Sequence, residues 1–185
     1  TELKDKYKIE HPTVVVGRDA RTHSPALENA LIKGLMFTGC HVIQIGECPS
    51  PLNHFTVCNT GADAGVQVTA SHNGSGDNGL KLQTREADSF SGDKLQTLYT
   101  RIIQEDFLLG DGSSEEIDAT TPYIEKLSSM FGDSGKGMNV VIDTGNGVAG
   151  PLYVEVLKKL GCTVTELFTQ PDGMFPNHPA DPSKW

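Results

Sequence analysis

The sequence has few cysteines, and they show no arrangement typical of a disulfide framework or a metal site. Its 185 residues include four cysteines and six histidines, and no two cysteines form the C-x-x-C pair of zinc and redox sites. Free thiols in a reducing compartment are the simplest interpretation. There is also no apolar run typical of a secretory leader or a membrane span. We therefore expect a cytoplasmic protein without a membrane partner.

Basic residues are also scarce. Fifteen Lys and Arg against 24 Asp and Glu give a formal net charge of −9, and no basic block or basic amphipathic helix compensates for it. This composition predicts that nucleic acid is not a partner. It does not exclude anion binding, because the charges of a local pocket decide that.

Glycine and proline are frequent, with 20 and 10 residues, and they separate alternating strands and helices. Ser-Pro pairs at residues 24–25 and 50–51 predict helix starts, with Ser24 as the cap of the first helix and Pro25 at its first helical position. Short apolar runs predict buried strands at residues 13–17, 41–45 and 64–68. The alternation predicts an α/β fold, a three-layer arrangement of a mixed, mostly parallel sheet with helices on both faces.

A change of composition divides the chain into two parts. Residues 109–120 are rich in Gly, Asp, Ser and Glu, which is typical of a linker. We assign residues 1–117 to a first domain and residues 118–185 to an incomplete second α/β domain. The second contains a single strand–helix–strand unit at residues 139–168, and such a unit rarely buries a core alone. The chain is therefore expected to be a fragment of a longer protein.

A polar loop follows the third predicted strand and begins with Thr-Ala, then Ser71, His72 and Asn73. Open α/β sheets bind ligands at the carboxyl ends of such strands. A return strand is predicted at residues 78–83, where alternation buries the leucines on both sides of Lys81 and turns the lysine the other way. A hydroxyl that can carry a group would then meet a cation that can handle a proton. For these residues alone, a polar turn beside a solvated lysine remains open.

A second glycine-rich segment, from Gly145 to Gly150, matches G-x-G-x-x-G between a predicted strand and a predicted helix. In that context the pattern is typical of a dinucleotide-binding turn, with Glu166 near the end of the next strand. Pro151 in the first helical turn favours a turn that binds nothing, as does the complete α/β unit that precedes it. A dinucleotide-binding domain therefore stays open as an alternative function.

Four motifs occur in order along the chain. They are G-R-D-A-R at 17–21, T-A-S-H-N with N-G-L-K at 69–81, D-T-G-N-G-V-A-G at 143–150, and D-G-M-F-P-N-H-P at 172–179. Together they resemble the first domain and the start of the second in the α-D-phosphohexomutases, the phosphomannomutase/phosphoglucomutase family. The resemblance covers most of the chain and implies that the turn at residues 145–150 binds no dinucleotide.

The resemblance implies an enzyme, an intramolecular phosphotransferase that interconverts hexose 1-phosphate and hexose 6-phosphate of mannose, glucose or both. It places a phosphoryl group on Ser71, with Mg²⁺ against that phosphate and hexose 1,6-bisphosphate as intermediate and activator. Lys81 is expected to handle the proton of the sugar hydroxyl and His72 to assist as an acid/base or hydrogen-bond partner. Arg21 is expected to reach the phosphoserine with its fork of donors. Arg18 and Asn73 are expected to support the phosphate loop.

The chain also departs from the family pattern. Residues 74–76 are Gly-Ser-Gly where the family usually has proline, which makes the loop more flexible. Residues 77–79 are similar to those of phosphoglucosamine mutases, so that substrate is an alternative. The sequence has no D-x-D-x-D metal loop, and the other family ligands of Mg²⁺ are absent, so we expect these residues alone to be inactive. A non-catalytic phosphosugar-binding relative remains open, as does the oligomeric state.

Overall fold

The computed structural model describes residues 1–181 and 183, and a five-stranded sheet forms the centre of its first unit. The strand order is β4-β3-β1-β2-β5. β3 and β4 pair antiparallel, and the other neighbours pair parallel. The prediction of a mixed, mostly parallel sheet is confirmed. The strands are β1 (Thr13–Arg18), β2 (His41–Glu47), β3 (Ala64–Val68), β4 (Leu80–Thr84) and β5 (Ser113–Glu116).

Helices cover both faces of this sheet, as predicted. Alternate valines of β1 point to opposite faces: Val14 and Val16 lie in a cluster with Ile32 of the second helix, and Val15 lies in a cluster with Val57 of the third. Strand alternation is the cause, since successive side chains leave opposite sides of a sheet. The helices are α1 (Glu2–Tyr7), α2 (Ser24–Phe37), α3 (Ser50–Thr60) and α4 (Asp93–Ile103).

Two local predictions for this sheet are wrong. The expected linker at residues 109–120 contains β5, whose four residues are all exposed, so no hydrophobic pattern marks it. Backbone pairing with β2 makes it a strand. Leu80 was expected to be buried with Leu82 but is 49% exposed. It is the first residue of β4, an edge strand, and directly follows the polar loop. Leu82, farther along β4, packs against the core cluster of α2.

The second unit shares its core with the first. α5 and α6 contribute Ile124, Leu152 and Val156 to one cluster with Cys48 and Leu52 of the first unit. A two-stranded parallel sheet, β6–β7, completes this unit. This packing places the carboxyl end of β6 opposite the loop that follows β3. The elements are α5 (Thr120–Phe131), β6 (Asn139–Asp143), α6 (Ala149–Lys159) and β7 (Thr163–Leu167).

The helices of the described residues include none with the length and apolar character that a bilayer crossing requires.

Candidate active site

Ser71 lies three residues beyond the end of β3, at the wall of a cavity of about 720 Å³ between the two units. Its backbone φ is 59°, in the left-handed region that non-glycine residues rarely adopt. Such a conformation costs on the order of 1–3 kcal/mol and persists only where surrounding contacts hold it. One of these contacts is local, because the Ser71 N–H donates to Thr69 Oγ1 at 3.0 Å. The side chain is exposed to the cavity.

Lys81 reaches the same serine from the returning strand. Its Nζ donates to Ser71 Oγ at 3.3 Å. The antiparallel register pairs Lys81 with Gln67, so the chain leaves along β3, turns through the loop and brings the lysine back beside the serine. The structure therefore brings together the hydroxyl and the cation that the strand pattern predicts to meet.

The Arg21 side chain binds backbone carbonyls of the Ser71 loop. The side chain is 1% exposed, and its Nε donates to Asp19 Oδ2 at 2.8 Å. Its two terminal nitrogens donate to four loop carbonyls, those of Ser71 (3.2 Å), Asn73 (2.9 Å), Asp77 (3.2 Å) and Gly74. All five N–H donors are thus engaged. The fork is committed to the loop backbone and is not directed at Ser71 Oγ, which differs from the contact expected for Arg21.

Asp19 and Ser24 support the same loop, and sequence reasoning missed both roles. Asp19 Oδ1 accepts from the backbone N–H of Arg21 (3.1 Å) and from Ser24 Oγ (2.6 Å), and Ser24 Oγ accepts from Asn78 Nδ2 (2.8 Å). Ser24 is the first residue of α2, and its cap position is His23. The prediction that Ser24 caps the helix is therefore wrong. Its hydroxyl instead links Asp19, which follows β1, to Asn78, which precedes β4.

Of the other predicted site residues, His72 and Asn73 lie at the site and Arg18 does not. His72 lines the cavity beside Ser71, and Asn73 contributes its carbonyl to Arg21 and its N–H to Ala70 O at 3.2 Å. Arg18 forms ion pairs with Glu47 at 2.7 Å and with Glu28 at 3.1 Å, which directs its guanidinium to β2 and α2. The structure thus brings His72 and Asn73 to the site but does not bring Arg18 to the loop.

The second unit supplies the opposite wall of the cavity. His178 Nε2 lies 2.9 Å from Asp143 Oδ1 at the end of β6, and its ring contacts Phe168 edge-on with centroids 5.7 Å apart. The hydrogen bond between them raises the pKa of His178 and lowers the pKa of Asp143. The pair is therefore an imidazolium–carboxylate contact over a range of weakly acidic pH. Other residues on this wall are Thr144, Gly145, Gly147, Val148, Asn177 and Pro179.

The turn at residues 145–150 has glycines for reasons internal to the chain. A Cβ at Gly145, whose φ is +52°, would lie 2.5 Å from the His178 ring, and one at Gly150 would collide with the Thr169 carbonyl. Glu166, the acid that a dinucleotide ribose would need, is paired with a lysine of α6 at 2.8 Å. Close approach of the chain to itself accounts for these glycines without a bound nucleotide.

The residues described do not fit a complete Mg²⁺ site. Within residues 1–181 and 183 there is no group of three or more His, Cys, Asp and Glu side chains arranged to hold a metal. A phosphate on Ser71 would present oxygen ligands, but Mg²⁺ requires a near-octahedral oxygen shell, usually with one or two carboxylates. The described residues therefore provide at most part of the ligand set for Mg²⁺.

Two family models match the chain in succession. The model described as "Phosphoglucomutase/phosphomannomutase, alpha/beta/alpha domain I" matches residues 3–109. The corresponding model for domain II matches residues 121–184.

Curated relatives agree with these matches. A "Phosphomannomutase/phosphoglucomutase" from Pseudomonas aeruginosa is 37% identical over 173 residues, which cover 94% of this chain and 37% of the relative. A "Probable phosphoglucosamine mutase" from Methanothermobacter thermautotrophicus is also 37% identical over 173 residues, covering 91% of this chain and 38% of the relative. The chain therefore spans less than two fifths of the length of these proteins.

A solved structure extends the likeness to the fold. The crystal structure of a phosphoglucomutase/phosphomannomutase family protein from Burkholderia thailandensis matches with a TM-score of 0.88 and 36% sequence identity. The match covers 98% of this chain and 40% of that one.

Proposed function

Because the chain belongs to the phosphoglucomutase/phosphomannomutase family, we propose that its Ser71 loop is the phosphoryl-carrying part of a hexose-phosphate mutase. The observation that carries this proposal is the 3.3 Å contact between Lys81 Nζ and Ser71 Oγ at the wall of the cavity. The full-length protein would interconvert hexose 1-phosphate and hexose 6-phosphate, with glucose, mannose or both as the sugar.

In the proposed reaction, phosphorylated Ser71 transfers its phosphoryl group to the free hydroxyl of a hexose phosphate. The bond from Ser71 Oγ to phosphorus breaks, and a bond from the sugar oxygen to phosphorus forms. The Lys81 ammonium, which points at Oγ, supplies a proton to that oxygen as it leaves. The sugar hydroxyl loses its proton in the same step, and we assign its acceptance to His72 on the same wall. This differs from the expectation that Lys81 handles that proton, because Lys81 Nζ contacts Ser71 Oγ. The bisphosphorylated sugar then reorients and returns its other phosphoryl group to Ser71.

Positioning and charge compensation are what this reaction needs from the protein. A phosphoserine brings roughly −1.5 to −2 charges into the loop. Lys81 offers one compensating charge at Ser71 Oγ, and Arg21 keeps the serine in its left-handed conformation through the loop carbonyls. Mg²⁺, when bound, would supply further charge compensation. A phosphate oxygen on Ser71 would then be one of its ligands, and the remaining ligands would have to come from outside the described residues.

The decisive experiment is peptide mapping of the full-length protein after incubation with glucose 1,6-bisphosphate. We expect one added phosphoryl group on the peptide of residues 69–79, located on Ser71 and absent from Ser71→Ala. Ser75→Ala, a matched change in the same loop, should still be phosphorylated. Phosphate found on Ser75 instead of Ser71 would overturn the assignment. An unphosphorylated Ser71 in a protein that binds phosphosugars would favour the non-catalytic alternative.

A phosphoglucosamine mutase is the second candidate for the substrate. Its support is the similarity of residues 77–79 and the equal identity of the Methanothermobacter relative. Assays of the full-length protein with glucosamine 6-phosphate, glucose 1-phosphate and mannose 1-phosphate under one set of conditions distinguish the candidates by their kcat/KM values.

A further inference from the structure

A turn of the second unit packs directly on the residue that holds the Ser71 loop. Gly173, in the turn of residues 172–178, is buried, and a Cβ there would collide with the Ala20 carbonyl and lie 2.6 Å from Arg21 Cα. The Phe175 ring lies over the guanidinium of Arg21, with its centroid 5.1 Å from Cζ. The turn therefore covers Arg21 with both backbone and ring.

Several hydrogen bonds fix this turn to the second unit. The Asp172 N–H donates to Asn146 O at 2.8 Å, and the Phe175 N–H donates back to Asp172 O at 3.0 Å. Asn177 Nδ2 donates to Asn146 Oδ1 at 2.7 Å. Asn146 belongs to the glycine-rich turn before α6, so these hydrogen bonds anchor the 172–178 turn to the second unit.

Arg21 needs such a cover. Its five N–H groups are used at its edge, by Asp19 and by the loop carbonyls, which leaves the face of the guanidinium for an apolar partner. An aromatic ring over that face attracts the cation, and more strongly where water is excluded. At 1% side-chain exposure, water is excluded from Arg21.

We propose that Gly173 and Phe175 are positioning residues for the Ser71 loop, acting through Arg21. The Phe175 ring limits the motion of the guanidinium, and the guanidinium fixes the four carbonyls between Ser71 and Asp77. The second unit thereby controls the geometry of a phosphoryl carrier that lies on the first. As a statement about catalysis this inference rests on the proposed function, but its structural part can be tested without it.

The structural test is amide hydrogen exchange in the 185-residue chain. The N–H groups of Asn73 and Asp77 donate to Ala70 O and Gly74 O, each at 3.2 Å, and report on loop opening. In Phe175→Ala we expect both to exchange roughly three- to tenfold faster, because a cation–π contact of the usual strength is lost. Phe175→Tyr keeps the ring face and should restore slow exchange.

Controls separate positioning from general destabilisation. Exchange at Val15 in the centre of β1 reports global unfolding, and in Phe175→Ala it should accelerate no more than exchange in the loop. Phe131→Ala, at an exposed phenylalanine at the end of α5, should leave the loop unchanged. Gly173→Ala should accelerate loop exchange, whereas Gly34→Ala, where a Cβ meets nothing within 4 Å, should not. Unchanged loop exchange in both Phe175→Ala and Gly173→Ala would overturn the inference, as would a larger acceleration in β1 than in the loop.

The catalytic part is tested by single-turnover phosphorylation of Ser71 in the full-length protein. Phe175→Ala should slow phosphoryl transfer at saturating bisphosphate by about tenfold or more, and Phe175→Tyr should recover most of the rate, since small misplacements of reacting groups are costly. A normal rate in Phe175→Ala would contradict the catalytic part. If the wild-type protein shows no transfer at all, the proposed function fails, while the exchange measurements still decide whether the turn positions the loop.

Discussion

Replacing Arg21 by methionine removes the side chain that joins Asp19 to four carbonyls of the Ser71 loop. Methionine has a similar length but no donors, so the carbonyls lose their common partner and the left-handed conformation of Ser71 keeps only its local contact with Thr69. We expect a more mobile loop, a less stable first unit and slow phosphoryl transfer.

The expected loss of stability depends on the burial of the Arg21–Asp19 ion pair and on the partners that Asp19 and the loop carbonyls keep. Removing one partner of a buried ion pair typically costs about 3–5 kcal/mol. Asp19 keeps two donors, Ser24 Oγ at 2.6 Å and the backbone N–H of residue 21 at 3.1 Å, and the freed carbonyls can bind water once the loop opens. We therefore expect a loss of about 2–4 kcal/mol in the free energy of unfolding.

Urea denaturation of the 185-residue chain, followed by far-ultraviolet circular dichroism, measures this loss. With m of about 2 kcal/mol/M, the midpoint should fall by about 1–2 M. Arg21→Lys keeps the charge beside Asp19 but has three donors instead of five, so its midpoint should lie between those of wild type and Arg21→Met. Arg85→Met, which removes an arginine that pairs with Asp63 away from the loop, should leave hydrogen exchange at Asn73 unchanged.

A small loss in the free energy of unfolding would refute this reasoning. A loss below about 1 kcal/mol in Arg21→Met, with slow exchange retained at Asn73, would mean that the loop holds itself and that Arg21 is only one of many weak contacts. In the full-length protein, kcat for Arg21→Met should fall by about 10²-fold if the loop geometry matters for transfer.

Further predictions concern the chemistry and the second unit. Lys81→Met in the full-length protein should lower kcat by about 10²–10⁴-fold, and a loss confined to KM would return Lys81 to the role of a solvated surface charge. His178→Gln should lower the urea midpoint more at about pH 5.5 than at about pH 8.5. The pKa of His178 is higher in the folded than in the unfolded protein, so the stability it contributes is present below the unfolded-state pKa and is lost as pH rises through the folded-state pKa. The pKa of Asp143 is lowered, so its carboxylate stays ionised over this pH range. An equal effect at both pH values would contradict this. The 185-residue chain, assayed with glucose 1-phosphate, Mg²⁺ and a bisphosphate beside a full-length control, should be inactive and bind Mg²⁺ weakly. Turnover near that of the control would show that the metal ligands lie within these residues.

The fold class and the centre of the site could be predicted from local pattern. The apolar run of β3, the polar loop after it and the alternation around Lys81 predict a hydroxyl and an amine that face each other, and the structure has them 3.3 Å apart. Strand periodicity and turn chemistry are properties of neighbouring residues, so they can be recognised without knowledge of the tertiary fold.

Other features depended on contacts that no local pattern records. Arg18 and Arg21 stand three residues apart in one motif, yet Arg18 pairs with Glu47 while Arg21 is buried against the loop. The strand β5 is entirely exposed and is defined by its pairing with β2. Leu80 shares its face with Leu82 but lies at the end of an edge strand, so it is exposed.

The second wall of the site was decided by the packing of the two units. Nothing in the sequence pairs His178 with Asp143, 35 residues away, or places Phe175 over Arg21. Burial and long-range hydrogen bonds are fixed only when α5 and α6 dock on α3 and bring the end of β6 opposite the loop after β3. The sequence thus determined which groups each strand end presents, and the shared core determined which of them meet, because side-chain partners depend on distances in space that the order of residues does not contain.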